Sequence, residues 1–197
     1  MHTAPLAERI DFVRYKTAEI HFKYADAAIN LSTRAAELQN PDSYQNTVWT
    51  AFFVNYAKPF KQMRDRGKGF GIRLPDDIVP EQYRDDHNHI LALRDKHFAH
   101  TDLNFQTSSL ATQPEELLFA FATPAGITFG ISSIIPSDKT VECYKTLLNI
   151  LIEKVSYRAG KIMQRWSKRL RVPVNSMWTV SLSKNTDEIL KRIDPES

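Results

Sequence analysis

Apolar residues recur along positions 5–39 at steps of three, four or seven: Leu6, Ile10, Val13, Ile20, Tyr24, Leu31 and Leu38. That period belongs to one face of an α-helix and predicts a long first helix with a single apolar stripe. Asn40-Pro41-Asp42-Ser43 marks a stop and restart, with Asp42 or Ser43 placed to cap a second helix. The second helix carries Trp49, Phe53, Tyr56, Phe60 and Met63 at alternating fours and threes. Pro59 is expected to kink or end it, because the ring removes a backbone hydrogen bond and clashes one turn back. Gly67-Lys68-Gly69-Phe70-Gly71 breaks the pattern, and Leu74-Pro75-Asp76-Asp77 continues it as loop.

A third helix is predicted from Pro80 or Glu81 to the region of His100, ended by Thr101-Asp102-Leu103-Asn104. Residues 116–122 and 127–133 have the composition of strands, joined by the turn signal Thr123-Pro124-Ala125-Gly126. Pro136-Ser137-Asp138 opens a fourth long helix whose stripe is Val141, Tyr144, Leu148, Leu151, Val155, Ile162, Trp166 and Leu170. A strand over 177–182 and a short helix over 186–193 complete the pattern. The expected class is mainly α: an up-and-down helical bundle with a small antiparallel β-hairpin or three-stranded appendage, in a single domain spanning 1–197. Its helical core covers roughly 5–102 and 137–171, the hairpin insertion roughly 114–134, and the C-terminal strand and short helix roughly 176–194. Each helix shows one stripe only, so helices of this length are expected to bury part of it against a second subunit, as in a homodimer.

Composition changes little in this picture. Among 197 residues, 42% are apolar and 25% charged, which excludes wholesale disorder. A net charge of +3 does not indicate nucleic acid by itself. The single cysteine, Cys143, rules out an intramolecular disulfide and falls in a helical pattern, where a small buried residue is expected. No apolar run follows a basic start, so no signal peptide is predicted. The longest uncharged run, 117–137, contains Pro124, Gly126 and Gly130 and fits a hairpin better than a membrane span. The chain is expected to be cytoplasmic, with no membrane segment.

The chemistry concentrates in Leu91-Ala92-Leu93-Arg94-Asp95-Lys96-His97-Phe98-Ala99-His100-Thr101-Asp102. At about 100° per residue, His87, Ile90, Leu91, His97 and Phe98 fall within about 60° of Arg94, which puts a guanidinium on the apolar face. A buried guanidinium keeps its proton and needs an anion or a wet cleft. A metal site fits poorly: His87 and His89 point about 200° apart, and His97 with His100 lacks the glutamate of a His-Glu-x-x-His site. No metal or other cofactor is expected. Cys143 and the scattered serines lack the strand-to-helix elbow of a nucleophile, and the glycines at 67–71 lack the strand and Lys-Ser/Thr pair of a phosphate loop.

Arginine with histidine is a better chemical pair. Arginine grips phosphate through a rigid fork, and histidine takes and returns protons near neutral pH. Together they can cleave RNA without metal: a base removes the 2′-hydroxyl proton, the oxygen attacks phosphorus, and an acid protonates the leaving oxygen.

Arg94-Asp95-Lys96-His97-Phe98-Ala99-His100 resembles the signature of the HEPN superfamily, an arginine, a polar neighbour, and a histidine four to six positions beyond the arginine. The wider phrase Leu-Arg-Asp-Lys-His-Phe-Ala-His-Thr-Asp most resembles the abortive-infection, toxin-like branch. The resemblance implies a HEPN-like helical bundle, often dimeric, and a metal-independent ribonuclease of toxin or phage-defence type whose motifs from two subunits meet in one cleft. It implies that Arg94 holds the scissile phosphate, His100 is the general base, Asp95 orients one of them and His97 assists. The implied partners are RNA, a second copy of the chain, and an antitoxin or defence-system protein; no DNA specificity follows. HEPN toxins controlled by tyrosine modification carry that tyrosine two positions after the histidine, where this chain has Asp102, which argues against that control. Non-catalytic HEPN-like modules that bind nucleotide, RNA or protein form the alternative.

Two basic clusters accompany the motif. Lys154, Arg158, Lys161, Arg165, Lys168, Arg169 and Arg171 crowd the second half of the fourth helix, and Arg158, Lys161 and Arg165, with Lys96 of the motif, are the expected contacts to RNA backbone. A solvated helix face is the other reading of that run. Lys61, Arg64, Arg66 and Lys68 form a weaker cluster.

Overall fold

The computed structural model describes residues 4–34, 41–61, 72–95, 118–123, 126–131, 136–170, 178–180, 182 and 190–192. They are mainly helical: α1 (Leu6–Ser32), α2 (Pro41–Ala57), α3 (Arg84–Leu93) and α4 (Asp138–Leu170). Pro59 acts as its chemistry requires. Helix α2 stops at Ala57, and Lys58–Phe60 continues as one tighter 3-10 turn with the buried proline inside it. Another such turn, Glu81–Tyr83, leads into α3 after Pro80. Ser137 caps α4, its hydroxyl accepting from the Thr140 N–H at 3.3 Å while its carbonyl takes the Val141 N–H at 2.9 Å.

Helix α1 lies against both α2 and α4, and its buried face is not the expected stripe. Ala18, Phe22, Ala25, Ala28 and Ile29 are buried, whereas Ile20, Tyr24 and Leu31 are 48%, 59% and 42% exposed. Alanines let two neighbouring helices approach α1 closely, and bulky residues at the same positions would hold them apart. The large side chains of the second half of the stripe, Ile20, Tyr24 and Leu31, therefore lie outside this packing, while Leu6, Ile10 and Val13 are partly buried.

Helix α2 supplies the aromatic centre. Trp49, Phe52, Phe53 and Tyr56 are buried; Phe52 stacks on Tyr144 of α4, centroids 5.6 Å apart and planes 13° apart, and stands edge-on to Trp49 at 5.6 Å. The stripe of α4 follows expectation: Tyr144, Leu148, Leu151, Val155, Ile162 and Trp166 are buried. The segment around Leu74-Pro75-Asp76-Asp77, expected as plain loop, contributes Leu74 and the following Ile78 and Val79 to the same core. Two bonds hold this segment down, Leu74 N–H to the Pro59 carbonyl at 2.8 Å and Lys154 Nζ to the Ile78 carbonyl at 2.9 Å. A smaller cluster of Ala4, Ile162 and Trp166, with Phe12, Tyr15 and Val180 against it, closes the other end of α1 and α4.

Among the described residues the strands form two separate antiparallel pairs. β1 (Leu118–Thr123) pairs with β2 (Gly126–Ile131) in the register Leu118↔Ile131 to Thr123↔Gly126, and β3 (Trp178–Val180) pairs with β4 (Leu190–Arg192). The two residues between β1 and β2, 124–125, lie outside the described residues. Leu190–Arg192 corrects two expectations: it is a strand and not part of a helix over 186–193, and its pairing with β3 replaces a three-stranded arrangement. Pairing satisfies the backbone groups of β3, which a helix could not do. No helix among the described residues is long and apolar enough to cross a membrane.

Candidate functional site: the Arg94–Asp95 end of the third helix

The site is built on α3, whose inner face is fastened to the end of α2. His87 is buried, its Nδ1 3.0 Å from the Tyr56 hydroxyl and its ring edge-on to Phe60 at 4.4 Å. Burial pushes its pKa down to about 4, with the Asp76 charge opposing and the Arg84 charge assisting. His87 is thus a neutral core residue. Ile90 and Leu93 are buried beside it, which sets the rotation of the helix.

Arg94 comes seven residues after His87, on the same face. Its N–H is shared between the carbonyls of Ile90 and Leu91, and at Arg94 and Asp95 the backbone opens into a wider π turn. The apolar-face position anticipated for Arg94 is met at the rim of the core: its side chain keeps 30% of its exposure. Nη1 donates to Asp95 Oδ1 at 2.9 Å, and Nε is buried with no hydrogen-bond partner among the described residues.

The second Asp95 oxygen, Oδ2, accepts from Lys61 Nζ. Partial burial alone would raise the Asp95 pKa, but the hydrogen bonds from Lys61 and Arg94 outweigh it, so the carboxyl lies below its usual range. Two cations thus share one half-exposed carboxylate, a local excess of positive charge. Lys61 was visible in sequence only as one member of the weaker basic cluster; nothing there linked it to Asp95, 34 positions away.

Lys96, His97 and His100 lie outside the described residues. The structure therefore brings together Arg94 and Asp95 of the expected motif. Among the described residues no group of three or more His, Cys, Asp or Glu side chains could hold a metal ion.

The basic face of α4 is largely tied to its own chain. Arg158 Nη1 donates to the Tyr15 hydroxyl at 3.1 Å, with its guanidinium 5.5 Å from that ring's centre. Arg165 Nε donates to Glu8 at 2.7 Å, and Trp166 Nε1 donates to the other oxygen of Glu8 at 2.9 Å. Lys161 is exposed and sits 5.0 Å over the Tyr157 ring. Arg158 and Arg165 thus join α4 to α1, and Lys161 is the member of the expected track that faces solvent without an acidic partner among the described residues.

Comparison with protein-family models, with curated proteins and with solved structures finds no match to this chain.

Proposed function

We propose that the chain is a HEPN-like, metal-independent endoribonuclease of the toxin or phage-defence type, with the β1–β2 pair as an appendage to a helical bundle. The observation that supports this best is Arg94. It is the second residue of a motif-like phrase, rooted on the buried face of α3, yet partly exposed, with Asp95 fixing its Nη1 edge. An arginine held in one orientation beside solvent suits a phosphodiester.

In this reading Arg94 binds the scissile phosphate and offsets the charge that builds on its oxygens. His100 removes the 2′-hydroxyl proton, the 2′-oxygen bonds to phosphorus, and the bond to the 5′-oxygen breaks. His97 or the partner copy's histidine protonates that oxygen, leaving a 2′,3′-cyclic phosphate and a 5′-hydroxyl. The exposed Ile20, Tyr24 and Leu31 on α1 support a homodimer, since large apolar side chains on one helix face favour burial against a second copy. An antitoxin or defence-system protein is the further partner that such an activity requires in a cell.

Purified protein incubated with cellular RNA in chelator, beside Arg94→Ala and His100→Ala, tests the reading. Loss of either residue is expected to slow cleavage by about 10²–10⁴. Equal cleavage by all three would sink it. The Arg94–Asp95 hydrogen bond within one chain favours a second reading, a non-catalytic HEPN-like binding module. That reading expects no cleavage by any variant and saturable binding of RNA or nucleotide lost with Arg94.

A further inference from the structure

We propose that Lys61 is a second phosphate-binding cation of this site, and that Lys61 and Arg94 together hold the backbone of a single-stranded nucleic acid beside the Asp95 carboxylate they share. The inference rests on the RNA-directed reading above and extends it to a residue from another part of the chain.

The geometry is built and not a chance meeting of surface side chains. Three residues at the end of α2 and just beyond it meet α3 and the turn that follows it: Tyr56 bonds His87, Phe60 packs on His87, and Lys61 reaches Asp95. Directly before Lys61, Pro59 and Phe60 are buried. The Lys61 N–H itself bonds the carbonyls of Ala57 at 3.2 Å and Lys58 at 3.3 Å. Its backbone is anchored on the core, and only the side chain extends to the rim, where it is 39% exposed.

Chemistry gives the ligand class. A carboxylate and a phosphodiester each present two anionic oxygens on one centre, and both are gripped by arginine and lysine in the same way. Asp95 neutralises one of the two cations, so a single further negative charge balances the trio. One phosphodiester supplies that charge. Of the α4 cations, Arg158 and Arg165 compare poorly, because they already serve Tyr15 and Glu8.

The test uses a fluorescent short 2′-O-methyl oligouridine, which the protein cannot cleave by 2′-hydroxyl attack, titrated by anisotropy over a range of salt. Wild type, Lys61→Met, Lys61→Arg and Arg94→Ala are compared, with cleavage of ordinary RNA measured in parallel. Lys61→Met should weaken binding by about fivefold and lower the salt slope by about 0.7, one single-strand phosphate contact; Lys61→Arg should restore both. Unchanged affinity and slope in Lys61→Met overturn the proposal, even if wild type cleaves RNA and the ribonuclease reading stands. Weaker binding with an unchanged slope and no rescue by Lys61→Arg also overturns it, since that marks a structural role. Lys61-dependent binding without cleavage keeps the proposal and removes the ribonuclease reading. No binding by wild type overturns the proposal, while cleavage still decides the other.

Discussion

Acid should weaken this fold through His87 before it reaches the carboxylates. The ring is buried against Phe60 and bonded to Tyr56, and its pKa is lowered from 6.5 to about 4. The unfolded chain takes up a proton near 6.5 and the folded chain refuses it until about 4. The contribution of His87 is therefore fully present above the upper value and is lost as pH falls through that window. The ceiling is about 3 kcal/mol, and about 2 kcal/mol is the working figure once water reaching the ring is allowed for. The slope cannot exceed about 1.4 kcal/mol per pH unit for one proton. In the protonated ring Nδ1 can only donate, so the Tyr56 hydroxyl must then act as the acceptor.

Urea unfolding followed by tryptophan fluorescence, repeated from neutral pH down to about pH 4, measures this for wild type and His87→Phe. The variant leaves the Tyr56 hydroxyl unpaired, which costs about 1–3 kcal/mol at every pH, so slopes and not absolute stabilities are compared. Wild type should lose about 2 kcal/mol more than His87→Phe across the window. Parallel curves would rule out His87 as the source of the acid sensitivity. Glu19 supplies a separate reference: hydrogen bonds from Lys16 and Lys23 bring its pKa from 4.5 down to about 2, so its contribution is lost only in that lower range.

Phe52→Ala should destabilise by about 3–5 kcal/mol in urea unfolding, since Phe52 is fully buried between Trp49, Phe53 and Tyr144. Gly160→Ala should stabilise by up to about 1 kcal/mol, read as a raised Tm, because Gly160 lies inside α4 and an added Cβ meets nothing within 4 Å. Tyr24→Glu should convert a dimer to monomer in sedimentation with little change in monomer stability, given the 59% exposure of Tyr24; a wild type that is already monomeric contradicts the dimer reading.

The long helix α4 was legible because large aliphatic and aromatic residues, with Ala159 the one small member, form most of its single buried side. The ends of α2 and α4 were legible too, since proline and the Ser137 cap act through local backbone chemistry. Helix α1 was not. Of its expected stripe, Ile20, Tyr24 and Leu31 are exposed and Leu6, Ile10 and Val13 are only partly buried, because packing between α2 and α4 rewards small residues whose size carries no hydrophobic signal. Residues 72–80 likewise carried no helical period, yet Leu74 and Ile78 fill the core through contacts that depend on where α2 ends and α4 passes.

The helical class and the place of Arg94 on the face that turns inward follow from period and local chemistry along the chain. How that charge is held depends on packing between distant segments. Asp95 accepts from Arg94 beside it and from Lys61, 34 residues away, and the buried Tyr56–His87 bond sets the helix rotation that makes the meeting possible. Pairings across such distances depend on how helices pack, and no period along the chain encodes them.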